Sequence, residues 1–109
     1  MNSKLPIAYT ISGSDSSGGA GLQADLKVFS LFDVHGCSII TAITSQNTLG
    51  VQHILPIPND VVSSQFDSLF SDLPPDVIKI GMLGNTTEVV YQILNNISCL
   101  LYTSPSPRD

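Results

Sequence analysis

Positive charge is what this sequence has least of: four Lys and Arg stand against nine Asp and Glu, a formal net charge of −5. Lys4, Lys27, Lys79 and Arg108 are scattered along the chain. No basic patch is available to neutralise phosphates, which argues against a nucleic-acid partner. Cysteine is also scarce. Cys37 and Cys99 do not make a disulfide framework, so a reduced, cytoplasmic protein is expected. No apolar run reaches the ~18 residues that a membrane helix needs, so no membrane span is expected. Pro6, Tyr9, Thr10 and Ser12 interrupt any signal-peptide core. The apolar fraction of 42% is that of an ordinary soluble domain, and 109 residues make one small domain or part of a larger one.

Glycine, by contrast, is concentrated. Gly13-Ser14-Asp15-Ser16-Ser17-Gly18-Gly19-Ala20-Gly21 has almost no side-chain bulk and cannot fill a core. It follows an apolar segment from Ile7 to Ile11 and precedes a helical pattern that begins at Leu22. A glycine-rich turn between strand and helix lets a ligand approach the backbone and leaves N–H groups free at the helix start. A flexible surface loop has the same composition; the strand-then-helix setting is what points to binding.

The remaining pattern alternates. Ile7 to Ser12 reads as a strand. Leu22, Leu26 and Phe29 recur at helical spacing, predicting a helix from about Leu22 to Phe32 that Gly36 stops. Ser38 to Ser45 is a second strand, its near-continuous apolar character suggesting burial on both faces. Gln46 to Gly50 is a polar turn, and Val51 to Ile57 an extended excursion. Asn59 or Asp60 caps a second helix whose apolar side is Val61, Phe66, Leu69 and Phe70. Val77 to Ile80 is a third strand, closed by Gly81-Met82-Leu83-Gly84. Asn85 with Glu88 opens a third helix, to about Asn96, as a capping-box variant. This order predicts an α/β fold of right-handed βαβ units around a parallel sheet.

The last eleven residues, Cys99 to Asp109, show no strand or helix period and contain two prolines. They resemble the conceptual translation of a sequencing-library transposon-end adapter, read through from a truncated coding sequence. The expected division is therefore 1–98 native and 99–109 a processing scar.

In an open parallel sheet, ligands bind beyond the carboxyl ends of the strands. The three strand exits, at Gly13, at Gln46-Asn47-Thr48 and at Gly81 to Gly84, all carry small or polar residues, as a shared crevice requires. The Gln46 carboxamide donates and accepts together, matching an amino group beside a ring nitrogen; a solvated turn residue is the plainer alternative. Asp25, in the first turn of the first helix, either compensates the dipole or accepts from a ligand. Met82 offers an adaptable apolar surface to a flat ring, or packs in a core. Asp15 fits an Asx turn, and Lys79 reads as structural. His35 and His53 have no partners at metal-ligand spacing. A phosphate loop of the Walker type fails, because Gly21-Leu22-Gln23 brings no lysine. Gly19 to Ala24 fits G-x-G-x-x-A, but no acid follows until Asp60, which weakens a dinucleotide reading.

Three blocks carry a resemblance: Ile11 to Lys27, Ile43 to Val51 and Lys79 to Gly84. The sequence resembles the hydroxymethylpyrimidine and phosphomethylpyrimidine kinases of thiamine biosynthesis, in order and spacing from the N-terminus to about Ile97. The resemblance implies a ribokinase-like three-layer fold with a mainly parallel sheet, of which only the N-terminal part is present. It implies ATP-dependent phosphorylation of 4-amino-5-hydroxymethyl-2-methylpyrimidine and its monophosphate, with Mg2+. By position, Gly13 would contact the pyrimidine through its backbone, Asp25 and Gln46 would bond its polar groups, and Ala20 and Met82 would pack nearby. Family members are more than twice as long, and their second half supplies the catalytic cysteine and most of the ATP and magnesium site. No catalytic residue is therefore expected here, and this chain alone is expected to be inactive. A homodimer is an assembly open to the full-length protein. A non-catalytic ligand-binding module and a pyridoxal-type kinase are the alternatives.

Overall fold

The structure, a computed structural model, describes residues 5–81 and 86–101. Its centre is strand β1, Ile7–Asp15, followed by helix α1, Gly21–Leu31, and strand β2, His35–Asn47. Strand β3, Gly50–Pro56, helix α2, Asn59–Phe70, strand β4, Val77–Ile80, and helix α3, Thr87–Leu101, complete the order. Among the described residues the sheet runs β3-β2-β1-β4. β1 pairs parallel with both β2 and β4, while β3 folds back antiparallel on β2. The α/β class and mainly parallel sheet expected from the alternation are therefore present.

Alternation along β1 separates two layers, because successive side chains point to opposite faces. Tyr9 and Ile11 join Cys37 and Ile39 of β2, Val62 and Phe66 of α2, and Val90 and Ile93 of α3 in one buried cluster. Each fully buried side chain of this size contributes roughly 1.5–3 kcal/mol. Tyr9 meets Phe66 edge-on, with ring centroids 6.3 Å apart. Its hydroxyl donates to the Leu73 carbonyl at 2.6 Å, so the buried phenol keeps a partner. Burial, with the nearby Cys37 thiol adding to it, pushes the Tyr9 hydroxyl far above its ordinary range. Burial likewise raises the Cys37 thiol, leaving it an inert core group. The opposite face of β1 carries Ala8, Thr10 and Ser12, small and buried, and α1 lies over it.

Several boundaries differ from the expectations. α1 ends in a Schellman turn rather than at Gly36: Val34 N–H donates to Phe29 O at 2.9 Å and Asp33 N–H to Ser30 O at 3.2 Å. Asp33 takes the left-handed conformation this needs, with φ 57°. Gly36 lies inside β2, where a Cβ would press against Leu26 and Phe29 of α1. β2 is longer than predicted, and it is not buried on both faces. Cys37, Ile39 and Thr41 are buried, whereas Ile43 is half-exposed, because the cluster with α2 and α3 covers only the earlier part of that face. Pro58, not Asn59 or Asp60, is the N-cap of α2, without a side-chain cap bond. Val62 rather than Val61 is buried there. The Asn85 cap lies outside the described residues. α3 continues to Leu101, so the helix does not stop near Asn96 and Cys99–Leu101 is helical, contrary to the reading of 99–109 as free of helix. No helix among the described residues is long and apolar enough to cross a membrane.

Where β3 ends, a side chain replaces it. The Gln65 carboxamide accepts from Ile40 N–H at 2.8 Å and donates to Ile40 O at 2.9 Å. It thereby satisfies strand groups that would otherwise be orphaned.

Candidate functional site

The chain leaves β1 for β2 on one side and later places β4 on the other, which puts a topological switch at the carboxyl end of β1. A cleft of about 320 Å³ opens there. Of the residues expected at the site, Gly13, Ala20, Asp25 and Gln46 all line it. Met82 lies outside the described residues.

The glycine loop is held from within. Asp15 Oδ1 accepts from Ser17 N–H at 2.9 Å and from the Ser17 hydroxyl at 2.7 Å. Its Oδ2 accepts from Gly19 N–H at 3.1 Å and Ala20 N–H at 2.8 Å. The Asx-turn reading of Asp15 is thus what the geometry contains, extended by two further amides. The Ser17 hydroxyl, then the Ser17, Ala20 and Gly19 amides, hold this carboxyl below its ordinary range against the opposing effect of burial. Asp15 thus acts as an internal anion for the loop amides before α1; of the helix-start amides it takes only that of the N-cap, Ala20, and α1 has no side-chain cap bond. Gln23 adds a second brace, accepting from Asp15 N–H at 2.9 Å and donating to Ser14 Oγ at 2.8 Å.

Gly21, more than Gly13, is the position that must be glycine. It has φ +61°, and a Cβ would collide with the Gly13 carbonyl. At Gly13 itself a Cβ would meet only the Ala42 carbonyl, at an ordinary 3.6 Å.

Asp25 is the fifth residue of α1, and that helix has no acid in its first turn, so dipole compensation does not account for it. Its carboxylate is largely buried over the sheet instead. Thr10 Oγ1 donates to its Oδ2 at 2.6 Å, and Lys79 Nζ lies 2.7 Å from its Oδ1. Ser12 Oγ lies 2.9 Å from Thr10 Oγ1; the single Thr10 proton goes to Asp25, so Ser12 donates to Thr10. Thr10 and Lys79 are register partners across β1 and β4, which is why both reach the same carboxylate. Lys79, read from the sequence as structural, is therefore a charged wall of the cleft. No local signal required the pairing, since a lysine 56% exposed needs no acid to satisfy it.

Gln46 closes β2 rather than sitting in a turn. Its backbone is pinned to the loop: Ser16 Oγ donates to Gln46 O at 2.8 Å and accepts from Gln46 N–H at 2.7 Å. Its carboxamide touches Thr44. Val51 and Ile54 of β3, both about half-exposed, add an apolar wall beside it. Val51 and Ile54 were not singled out by sequence, because only the antiparallel return of β3, which pairs Gln46 with Val51, brings them there; Thr44, also missed, stands two residues before Gln46 on β2, opposite Asp15.

A Mg2+–nucleotide site does not fit this donor set. The two carboxylates of the cleft are engaged, Asp15 by the loop and Asp25 by Thr10 and Lys79. No group of three or more His, Cys, Asp or Glu gathers among the described residues.

An α/β sheet with a small cleft at its switch point has the architecture on which open parallel sheets place their ligand sites. The phosphomethylpyrimidine kinase family model matches residues 15–102. The hydroxymethylpyrimidine/phosphomethylpyrimidine kinase of Escherichia coli is 57% identical over 79 residues, covering 72% of this chain and 30% of that protein. A crystal structure of phosphomethylpyrimidine kinase from Clostridium difficile 630 superposes with TM-score 0.80 at 41% identity, covering 87% of this chain and 42% of the other. The pyridoxal kinase of Staphylococcus aureus, in complex with AMP-PCP and pyridoxal, gives TM-score 0.73 at 39% identity, covering 85% and 34%. The chain belongs to the phosphomethylpyrimidine kinase family and has the ribokinase-like fold of its kinases. It spans about 30% of the length of the enterobacterial relatives it matches.

Proposed function

We propose that the whole protein phosphorylates 4-amino-5-hydroxymethyl-2-methylpyrimidine and then its monophosphate with ATP, in thiamine biosynthesis, and that the residues described here hold the pyrimidine. The observation that carries this reading is the shared cleft, in which the Gln46 carboxamide, the Asp25 carboxylate and the apolar Val51 and Ile54 border one space. A flat ring with an amino group beside a ring nitrogen uses the carboxamide, its hydroxyl can donate to the carboxylate, and its faces need apolar neighbours. Gly13 would contribute backbone and Ala20 packing, and the same role is proposed for Met82, which lies outside the described residues.

Phosphoryl transfer rests on positioning and on neutralising charge at the moving phosphate. Among the described residues the cleft holds one cation, Lys79, and it is paired with Asp25. We assign the ATP and Mg2+ sites and the catalytic group to sequence beyond these residues, and we expect this chain alone to be inactive. The proposal includes a cytoplasmic location, a homodimer for the full-length protein, and a read-through origin for 99–109, which codons that do not spell adapter sequence would refute.

Calorimetric titration of the chain with the aminopyrimidine tests the binding half, and saturable binding lost in Gln46→Ala is expected. ATP turnover with the pyrimidine by the isolated chain would refute its assignment as the substrate side alone. Turnover by the full-length protein separates a kinase from a non-catalytic binding module. The likeness to pyridoxal kinase favours one second reading, a pyridine in the same cleft. Pyridoxal binding more tightly than the aminopyrimidine would establish it.

A further inference from the structure

The hydrogen bonds around Thr44 determine which way round Gln46 faces the cleft. The Thr44 hydroxyl has one proton. Its oxygen lies 2.8 Å from the Ser14 carbonyl and 3.0 Å from the atom placed as Gln46 Oε1, so one proton faces two acceptors unless the carboxamide is turned by a half-turn to present Nε2. A carbonyl can only accept, so the proton goes to Ser14, the shorter contact; otherwise two acceptors would face each other at 2.8 Å with no proton between them. The contact with Gln46 then requires a donor from Gln46, and only its Nε2 end donates. Oxygen and nitrogen of a carboxamide trade places by a half-turn about the last bond, with no change in outline. The Gln46 backbone cannot shift to escape this demand, because Ser16 holds both its N–H and its carbonyl.

We infer that Thr44 is a positioning residue that anchors one Nε2–H of Gln46, so that the carboxamide meets the cleft in one order only, an acceptor Oε1 beside the second Nε2–H. The consequence for the ligand rests on the pyrimidine reading above. A 4-aminopyrimidine offers an N–H donor beside a ring-nitrogen acceptor. Its 4-oxo counterpart, as the lactam, offers a carbonyl acceptor beside a ring N–H, the reverse order. A freely turning carboxamide accommodates either. An anchored one accommodates one, and Thr44 thereby selects for the amino group.

The test has two arms on the 109-residue chain. In the ligand-free protein, nitrogen-15 NMR reads the two Nε2 protons of Gln46. One is expected to exchange more slowly, and to lie further downfield, than the same proton in Thr44→Val, the protection surviving in Thr44→Ser. Two protons that both exchange as fast as those of a solvent-exposed carboxamide in the unaltered chain would overturn the anchoring, and this measurement decides even should Thr44→Val fail to fold. In the second arm, 4-amino-5-hydroxymethyl-2-methylpyrimidine and its 4-oxo counterpart are titrated separately. The unaltered chain and Thr44→Ser are expected to favour the amino compound by about tenfold or more, as a bidentate contact discriminates. Thr44→Val is expected to bring the two within about threefold, since a carboxamide without its anchor turns to meet either edge. An undiminished preference in Thr44→Val would overturn the selection. A chain that keeps the protected Nε2 proton yet binds neither compound would overturn the pyrimidine reading and leave the anchoring standing.

Discussion

Lys79 Nζ stands 2.7 Å from Asp25 Oδ1, joining the shortest strand of the sheet to the helix across it. The lysine side chain is 56% exposed and the carboxylate 12%. An ion pair with one exposed member adds little stability, about 0–1 kcal/mol, so its principal effect is to fix the carboxylate beside the cleft. Lys79→Met is expected to shift the unfolding free energy by less than about 1 kcal/mol. The same substitution should weaken aminopyrimidine binding about tenfold, the scale of a lost charge-assisted contact. Thermal melts and calorimetric titration of one sample read both effects. Binding equal to that of Lys27→Met, a change outside the cleft, would reject the positioning role.

Gly21 allows the loop to close on β1. Gly21→Ala combines a left-handed conformation, about 1–2 kcal/mol for an L-residue, with a collision on the Gly13 carbonyl. A loss of roughly 2 kcal/mol or more is expected in urea unfolding. Gly13→Ala, whose Cβ has ordinary clearance, should cost less. The reverse ranking would show that the loop backbone adapts around position 21.

Asp33 ends α1 in a conformation that suits glycine better. With φ 57° in a Schellman turn, Asp33→Gly relieves backbone strain while adding freedom to the unfolded chain. The net expectation is a gain of about 0.5–1 kcal/mol. Asp33→Val should destabilise, being β-branched at positive φ. Differential scanning calorimetry on the pair checks the sign.

Acid should loosen the glycine loop. The Asp15 carboxyl is held below its ordinary range by Ser17, Ala20 and Gly19, so the folded state favours the ionised form more than the unfolded state does. Its stabilisation is complete above the unfolded value of about 4. It is lost as pH falls through the lower folded value. Urea midpoints measured from pH 7 downward should therefore fall in acid, and Asp15→Asn should be weaker at pH 7 while losing less on acidification. Parallel pH profiles for the two proteins would contradict this account.

Some features of this chain are written locally, and those were legible in the sequence. β-Branched runs, helical spacing and glycine placement depend on neighbours within a few residues, so the element order and the loop between β1 and α1 could be read directly. Three strand exits sharing one crevice followed from parallel-sheet topology alone, and Gly13, Ala20, Asp25 and Gln46 do line one cleft. Pairings between distant residues were not legible. The partnership of Thr10 with Lys79 depends on the register of β1 against β4, and a strand's register is set by packing, not by its own residues. The same holds for Val51 beside Gln46, which needs β3 to fold back. Asp15 is the clearest division between the two levels. Its identity as a turn-forming residue was local, but occupation of the loop amides by its carboxylate arises only when the turn closes in space. That closure makes the loop between β1 and α1 a self-braced wall of the cleft, because the carboxylate satisfies the Ser17, Gly19 and Ala20 amides from within.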